Sequence, residues 1–392
     1  MKPSKVKKHN NLIQMSKGVG MGILAVWALT VFLAFSPKYS EIHNKLEEIE
    51  QVIEKHYIGE MDSSKMQESI YTGFVQAVGD PYTVYYTQEE FESLLEQSSG
   101  VYSGIGVVMS VDQMDNTITV NEVFEGSPAQ EAGMLPKDKI IGADNTSLTG
   151  EDFELAPKLI KGKEGTKVKI RIFRPSENKE YELEITRKSI TYPSVEYKVL
   201  ENELGYIKIK QFDEPTYTQF KEALTVIEEK GSKGLIIDLR NNGGGLLDVT
   251  EKIADEFIGE GVIVSVENNL GEVDVTEAKA EKTDIPVVIL VNEKSASASE
   301  VLSGALKDHG RATLVGTTTF GKGIVQSILP FNDGTGLKVT TAHYFTPSGI
   351  CIQGEGIDPD YKVELSPELM IKPSLSLEED LQLQKAIELL TQ

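Results

Sequence analysis

The stretch IPVVILVNEKSASASEVLSGALKDHG, residues 285–310, decides the fold. It opens with an apolar run of strand length and closes with SEVLSGALKDHG, an amphipathic helix ended by glycine. Between them lie three serines, Ser295, Ser297 and Ser299. Comparable units stand before it. GYIKIKQF (205–212) is a strand ahead of the amphipathic FKEALTVIEEKG (220–231), and GLIIDLRNNGGG (234–245) is a strand ending in a glycine turn ahead of the helix LLDVTEKIADEFI (246–258). ATLVGT (312–317) is one more strand. This alternation predicts an α/β core with a largely parallel sheet. Ligands in such sheets gather at the strand carboxyl ends, so the GGG turn and the serine run are expected on one rim.

The rest of the chain sets the context. Its 392 residues suffice for two to three domains, and a net charge of −22 argues against nucleic acid as the main partner. Residues 1–17 nevertheless hold Lys2, Lys5, Lys7, Lys8 and Lys17 and no acid. GVGMGILAVWALTVFLAFS, residues 18–36, carries no charge. As a helix it would span about 28 Å, close to the hydrocarbon thickness. With the basic flank on the cytoplasmic side it is expected to be an uncleaved anchor, placing everything from Pro37 outside the cytoplasm in a single-pass membrane protein. A cleaved signal peptide competes, but Pro37 directly follows the one small-x-small site, Ala34–Phe35–Ser36. The single cysteine, Cys351, allows no internal disulfide.

Residues 37–98 read as helical. YSEIHNKLEEIEQVIEKHYI (39–58) carries a stripe at Ile42, Leu46, Ile49 and Ile53, SSKMQESIYTGFVQAV (63–78) is a second helix, and in GDPYTVYYTQEEF (79–91) Asp80-Pro81 breaks the chain before a capping box, Thr87-x-x-Glu90. Residues 99–187 change to short alternating runs, a small β-rich domain. Within it, YSGIGVVM (102–109) and GSPAQEAGMLPKDKIIGAD (126–144) resemble a PDZ domain. PDZ domains hold an extended C-terminal peptide at an open sheet edge. The resemblance makes the amides of Ser103, Gly104, Ile105, Gly106 and Val107 the carboxylate-binding loop.

The serines admit a modest reading, since Ser297-Ala-Ser-Glu300 is a capping box. A helix N-terminus also favours a developing anion, so capping and catalysis share a location. A serine nucleophile needs a base, and histidine is poorly supplied. His9 and His43 flank the apolar segment, His56 lies in the first helix, and His309 is twelve residues past Ser297 on the same helix. His343, in TTAHYFT, reads as a strand residue but stays open as a base. The other candidate is a lysine deprived of water and of acids, because only a depressed pKa frees its lone pair. In TTTFGKGIVQSI (317–328), Lys322 has glycine on both sides and no Asp or Glu within ten residues.

The order of the PDZ segment, GYIKIKQF, LIIDLRNNGGGLL, LVNEKSASASE, FGKGIVQ and YFTPSGICIQGEGIDPD resembles the C-terminal processing peptidases, tail-specific serine proteases with a Ser-Lys dyad. GDPYTVYYTQEEF matches their region before the PDZ domain, and the resemblance spans about residues 40–362. It implies that Ser297 is the nucleophile, Lys322 the general base, and Gln326 the residue that orients it. It implies an oxyanion hole from the N–H of Ala298 and of Gly244, with Gly243 the alternative one residue earlier. Asp238 and Arg240 are read as structural. No metal or cofactor is implied. Lys161 stands where many relatives have Arg, and Cys351 where a basic residue is usual.

The expected organisation is a basic cytoplasmic segment (1–17), a transmembrane anchor (18–36), an N-terminal helical region (37–98), an inserted PDZ domain (99–187), a serine protease core (188–362) and a helical tail (363–392). Partners would be proteins or peptides with exposed C-terminal tails. Residues 40–75 and the amphipathic tail LSLEEDLQLQKAIELL (375–390) are candidates for homodimer contacts, the tail having self-docking as its alternative. A trypsin-like triad would need a serine in the NNGGGLL turn, which has none. A catalytically silent PDZ scaffold is the other reading, and the intact Ser, Lys and Gln set argues against it. One geometric condition attaches to the dyad. In a straight strand Lys322 and Gln326 would stand about 13 Å apart, so the chain must bend there.

Overall fold

The computed structural model describes residues 37–279, 282–370, 372 and 375–392. The expected basic segment and anchor, 1–36, lie outside the described residues. Among the described residues no helix is long and apolar enough to cross a membrane. The chain divides into two units, 1–70 and 71–392. The first contains helix α1 (Pro37–His56) and the start of α2 (Ser63–Gln76). Of the α1 stripe Ile42 and Ile49 are exposed and Leu46 and Ile53 half-buried, and the neighbouring Val52 is exposed.

In the second unit, after the end of α2, comes a short strand that the helical reading of 37–98 did not anticipate, β1 (Val84–Tyr86). Helix α3 (Gln88–Ser99) follows, opened by the predicted box: Thr87 N–H donates to Glu90 at 2.9 Å and Glu90 N–H to Thr87 Oγ1 at 3.4 Å. Strands β2 (Val101–Gly104) and β9 (Lys188–Thr191) pair antiparallel and frame the β-rich domain. That domain contains β3 (Val107–Asp112), β4 (Thr117–Val123), α4 (Pro128–Glu131), β5 (Lys139–Ala143), β6 (Thr146–Ser147), α5 (Leu155–Ile160), β7 (Lys167–Arg174) and β8 (Lys179–Thr186). Its sheet runs β3-β4-β5-β7-β8, all antiparallel, over a core that includes Ile118, Val120, Ile140 and Ile170. Alternate strand residues fill that core, as period-2 patterning requires.

The remaining core consists of β10 (Val195–Val199), β11 (Leu204–Ile209), α6 (Thr216–Glu229), β12 (Gly234–Asp238), α7 (Leu247–Ile258), β13 (Gly261–Asn268), β14 (Val273–Ala278), β15 (Val287–Val291), α8 (Ala298–Asp308), β16 (Ala312–Gly316), β17 (Ile324–Pro330), β18 (Gly336–Phe345), β19 (Tyr361–Lys362), α9 (Pro367–Met370) and α10 (Leu381–Thr391). One sheet runs β10-β11-β12-β15-β16-β19, with β10 antiparallel and the other pairs parallel. Leu235, Ile237 and Ile289 point to one face, where Phe220 of α6, Phe257 of α7 and Leu302 of α8 pack. Ile236, Val288 and Leu290 point to the other, where Leu383 and Ala386 of α10 pack. The amphipathic tail is thus docked on its own core.

The expectation of a largely parallel sheet does not hold for the molecule, whose strand pairs are mostly antiparallel. A second core sheet, β1-β18-β13-β14 with β17 also on β18, is antiparallel throughout. The physical reason is connection length. Residues 331–335 join β17 to β18 directly, and so short a link makes a hairpin, whereas a parallel pair needs a crossover of a dozen residues or more.

Asp238 and Arg240 hold the tail in place. The Arg240 guanidinium donates to Asp238 at 2.6 Å and to both oxygens of Asp380, at 2.8 and 2.9 Å, and Tyr206 Oη donates to Asp238 at 2.7 Å. Desolvation would raise the fully buried Asp238 carboxyl, but the charge and hydrogen bonds of Arg240 hold it below its usual range. Asp380 also caps α10, accepting from Leu383 N–H at 3.0 Å. Replacing Arg240 by Ala leaves two buried carboxylates uncompensated and is expected to cost about 3–5 kcal/mol in denaturant unfolding. The depressed Asp238 carboxyl contributes stability above the unfolded carboxylate pKa. That contribution falls away as pH drops through its lower folded value, and a pH series of the same unfolding curves measures it.

Candidate active site

The three serines separate by burial. Ser295 is buried, accepts from Asn292 N–H at 3.0 Å and donates to the Leu239 carbonyl at 2.8 Å. Ser299 is buried and donates to the Asn242 carbonyl at 2.9 Å. Both tie the serine run to the glycine turn. Ser297 alone of the three is half exposed, and it lines a cavity of about 520 Å³ with Ala298, Gly243, Gly244, Lys322 and Gln326. Its φ of 56° is left-handed, unusual for a residue with a Cβ. The strained turn thrusts its side chain out at the N-cap of α8, where the first amides have no acceptor within the helix.

The lysine arrives from the other sheet. Gly321, at φ 85°, turns the chain just before β17, and the β17–β18 register shifts between Val325 and Gln326. These two irregularities supply the required bend. Lys322 Nζ donates to Gln326 Oε1 at 3.0 Å, and the Gln326 amide donates to the Tyr82 carbonyl at 3.3 Å. The ring of Tyr82 covers the lysine, with Nζ 4.7 Å from its centroid. Burial lowers the Lys322 pKa, the neighbouring Lys338 cation lowers it further, and Asp80 and Glu300 oppose the shift.

Glu300 holds the two loops together. Its carboxylate is fully buried and accepts from four donors: Ser297 N–H at 2.8 Å, Lys322 N–H at 2.9 Å, Gly321 N–H at 2.7 Å and the Thr319 hydroxyl at 2.6 Å. The sequence marked Glu300 only as a capping residue. Buried Tyr344 adds a second tie, its hydroxyl lying against the Ser297 carbonyl at 3.2 Å and against the Lys322 carbonyl. Burial raises that hydroxyl's pKa, so it remains a donor. The adjacent His343 is exposed, on the opposite face of β18 by strand alternation, which removes it from the site.

The two oxyanion donors stand differently. Ala298 N–H is the first amide of α8. Gly244, at φ 101°, packs so closely that an added Cβ would lie 2.8 Å from the Ala296 carbonyl and 2.9 Å from Ser297 Cβ. Its own N–H, however, donates to Asn242 Oδ1 at 2.9 Å. That amide would serve an oxyanion only by leaving Asn242. Gly243, the alternative, lines the same cavity. The expected carboxylate loop lies elsewhere, in the β-rich domain. Ser103 and Gly104 end β2, Val107 begins β3, and the intervening carbonyls of Ile105 and Gly106 accept from Ala129 N–H at 2.9 Å and Phe124 N–H at 3.0 Å. Ser103 Oγ is buried with no hydrogen-bond partner.

Sequence reasoning passed over Glu300 as a linker, Tyr344, Asn242 and Tyr82. Only Tyr82 had a signal, its place in GDPYTVYYTQEEF. Two substitutions test the framework. Glu300→Gln puts an amide NH₂ among N–H donors and is expected to cost about 1–3 kcal/mol of stability, read by denaturant unfolding, with at least a tenfold loss of peptidase activity. Gly244→Ala forces a Cβ into the Ala296 carbonyl and is expected to abolish peptide hydrolysis in the same assay.

Comparison with known proteins identifies the family. The model of peptidase family S41 matches residues 203–363, and that of the PDZ domain matches residues 103–185. A probable CtpA-like serine protease of Staphylococcus aureus (strain COL) is 37% identical over 353 residues, 87% of this chain and 70% of the relative. A protein of the same description from Staphylococcus haemolyticus is 39% identical over 323 residues, 81% of this chain and 64% of the relative. The structure of a putative S41 protease from Bacteroides fragilis shares the fold at a TM-score of 0.51 and 15% identity, over 76% of this chain and 87% of that one. The chain belongs to peptidase family S41, as a C-terminal processing serine protease that carries a PDZ domain.

Proposed function

We propose that this peptidase works through a Ser297–Lys322 dyad as a membrane-anchored endopeptidase on extracytoplasmic proteins. The observation that carries the reading is a half-buried lysine with a lowered pKa, held by Gln326 and opening on the cavity that Ser297 lines. Neutral Lys322 takes the proton of Ser297 Oγ as the oxygen attacks a peptide carbonyl. The negative charge then forms at the N-terminus of α8, where Ala298 N–H is the first amide of the helix and the helix dipole favours an anion. The returning proton goes to the leaving amine, and water hydrolyses the acyl-enzyme.

The PDZ domain supports capture of exposed C-terminal tails, and the loop from Ser103 to Val107 is the proposed carboxylate site. Anchoring through residues 18–36, with the catalytic part outside the cytoplasm, is supported by the uncharged run and its lysine flank. The exposed apolar residues of α1, Ile42 and Ile49 of its stripe and the adjacent Val52, support a homodimer.

The test is hydrolysis of an unfolded protein with a free apolar C-terminus by the full-length chain. Ser297→Ala and Lys322→Ala are expected to lose at least about 10³-fold, with unchanged melting temperatures. Ser299→Ala is expected to retain activity within about tenfold while losing about 1 kcal/mol of stability. Because the neutral amine is the competent form, kcat/KM should rise with pH along a limb placed below that of a free lysine. Cleavage that survives Ser297→Ala would rule out the dyad.

A further inference from the structure

We propose that Tyr82 is a positioning residue for the lysine: its ring caps the amine and its backbone carbonyl sets which end of the Gln326 amide the amine meets. The inference rests on Lys322 acting as the base.

A glutamine can present either its oxygen or its NH₂ to a neighbour. Here the NH₂ is spent on the Tyr82 carbonyl at 3.3 Å, which leaves Oε1 for Lys322 at 3.0 Å. One lysine N–H is thereby held by Gln326. One side of the nitrogen is closed by the Tyr82 ring, 4.7 Å from its centroid. The lone pair of the neutral amine is left the cavity that Ser297 lines.

The turn that carries Tyr82 is built to stay put. Asp80 Oδ1 accepts from Tyr82 N–H at 3.0 Å, and Oδ2 accepts from the hydroxyls of Thr83 and Thr340, each at 2.6 Å. Thr340 N–H donates to Thr83 Oγ1 at 3.2 Å. Pro81 fixes the backbone between them. The anchor residue, Thr340, is the cross-strand partner of Gln326 on β18. The turn and the glutamine are therefore referenced to one strand position.

Four charged or titratable groups bear on the amine. Lys338, from β18, disfavours the ammonium, while Asp80, from the turn, and Glu300, from α8, favour it. Both carboxylates are already engaged by other donors. Tyr82 is the fourth. Its π face attracts a cation, but it displaces water, which solvates an ammonium better than a ring does, so its net effect is to favour the neutral base. Tyr86, on the same segment, stacks on Lys338 with 5.4 Å from nitrogen to centroid. The segment 79–86 thus covers both cations of this corner.

The experiment is the pH dependence of kcat/KM for the full-length wild type and for Tyr82→Phe, Tyr82→Ala, Thr340→Val and Lys322→Ala, with a melting temperature for each. Tyr82→Phe should overlay the wild type. Tyr82→Ala should move the ascending limb up by about one pH unit, an about tenfold loss below the limb that recovers above it. Thr340→Val loosens the turn without touching the ring and should shift the limb in the same direction by less. An unmoved limb in Tyr82→Ala overturns the proposal, and a curve lowered equally at every pH would mark a packing role only. Should Tyr82→Ala fail to fold, an unmoved limb in Thr340→Val overturns it instead. Lys322→Ala separates the two layers. If it retains activity, the base assignment itself fails. If it is inactive while the Tyr82→Ala limb stays put, the dyad stands and the role of Tyr82 falls.

Discussion

The site depends on the Glu300 carboxylate. It is buried and saturated by donors from the serine loop and the lysine loop. A buried carboxylate is costly unless every lone pair is used, and it then holds its partners more firmly than an exposed pair would. That grip accounts for the left-handed backbone at Ser297. The strain of a non-glycine residue at φ 56° persists only where its surroundings over-determine it, and the Ser297 amide is fixed from one side by Glu300 while Ser295 and Ser299 pin the flanking chain to the glycine turn.

The second constraint is that the two halves of the site come from different sheets. Ser297 follows β15 at the carboxyl end of a mixed sheet, where a helix N-terminus is available. Lys322 precedes β17 of an antiparallel sheet, where a hairpin with a register shift can re-aim a side chain. A parallel sheet alone would offer the rim but not the bend. Tyr344 and Glu300 bridge that seam, and the α3 residues Leu94, Gln97 and Ser98 also line the cavity.

Much of this was legible in the residues because the signals are local. The strand-helix units between 205 and 317 follow from periodicity, and the Thr87–Glu90 box from its spacing. Lys322 stood out because no acid lies near it in sequence, and in space the two carboxylates that act on its amine, Asp80 and Glu300, are taken up by other donors, the lysine's own backbone N–H among them. The parallel-sheet reading went wrong where the alternation stops. Residues 324–345 form a hairpin, and no crossover helix separates those strands. The hydrogen bond of the Gly244 amide was hidden for a different reason. The place of Gly244 beside Ser297 follows from the glycine turn, but the direction of its amide depends on the Asn242 side chain, which no spacing reveals.

By itself the sequence determined the family and the presence of a PDZ domain, and it marked out Ser297 and Lys322 as the pair proposed for the chemistry, because these reside in motifs a few residues long. Tertiary structure alone decided which of three serines faces the cavity, since all three share one local pattern and differ only in what covers them. It decided that Glu300, 22 residues from Lys322, joins the two loops, and that Tyr82, 240 residues from Lys322, lies over its amine. Contacts between residues so far apart in the chain depend on sheet order and register, and these are set by the packing of the whole core.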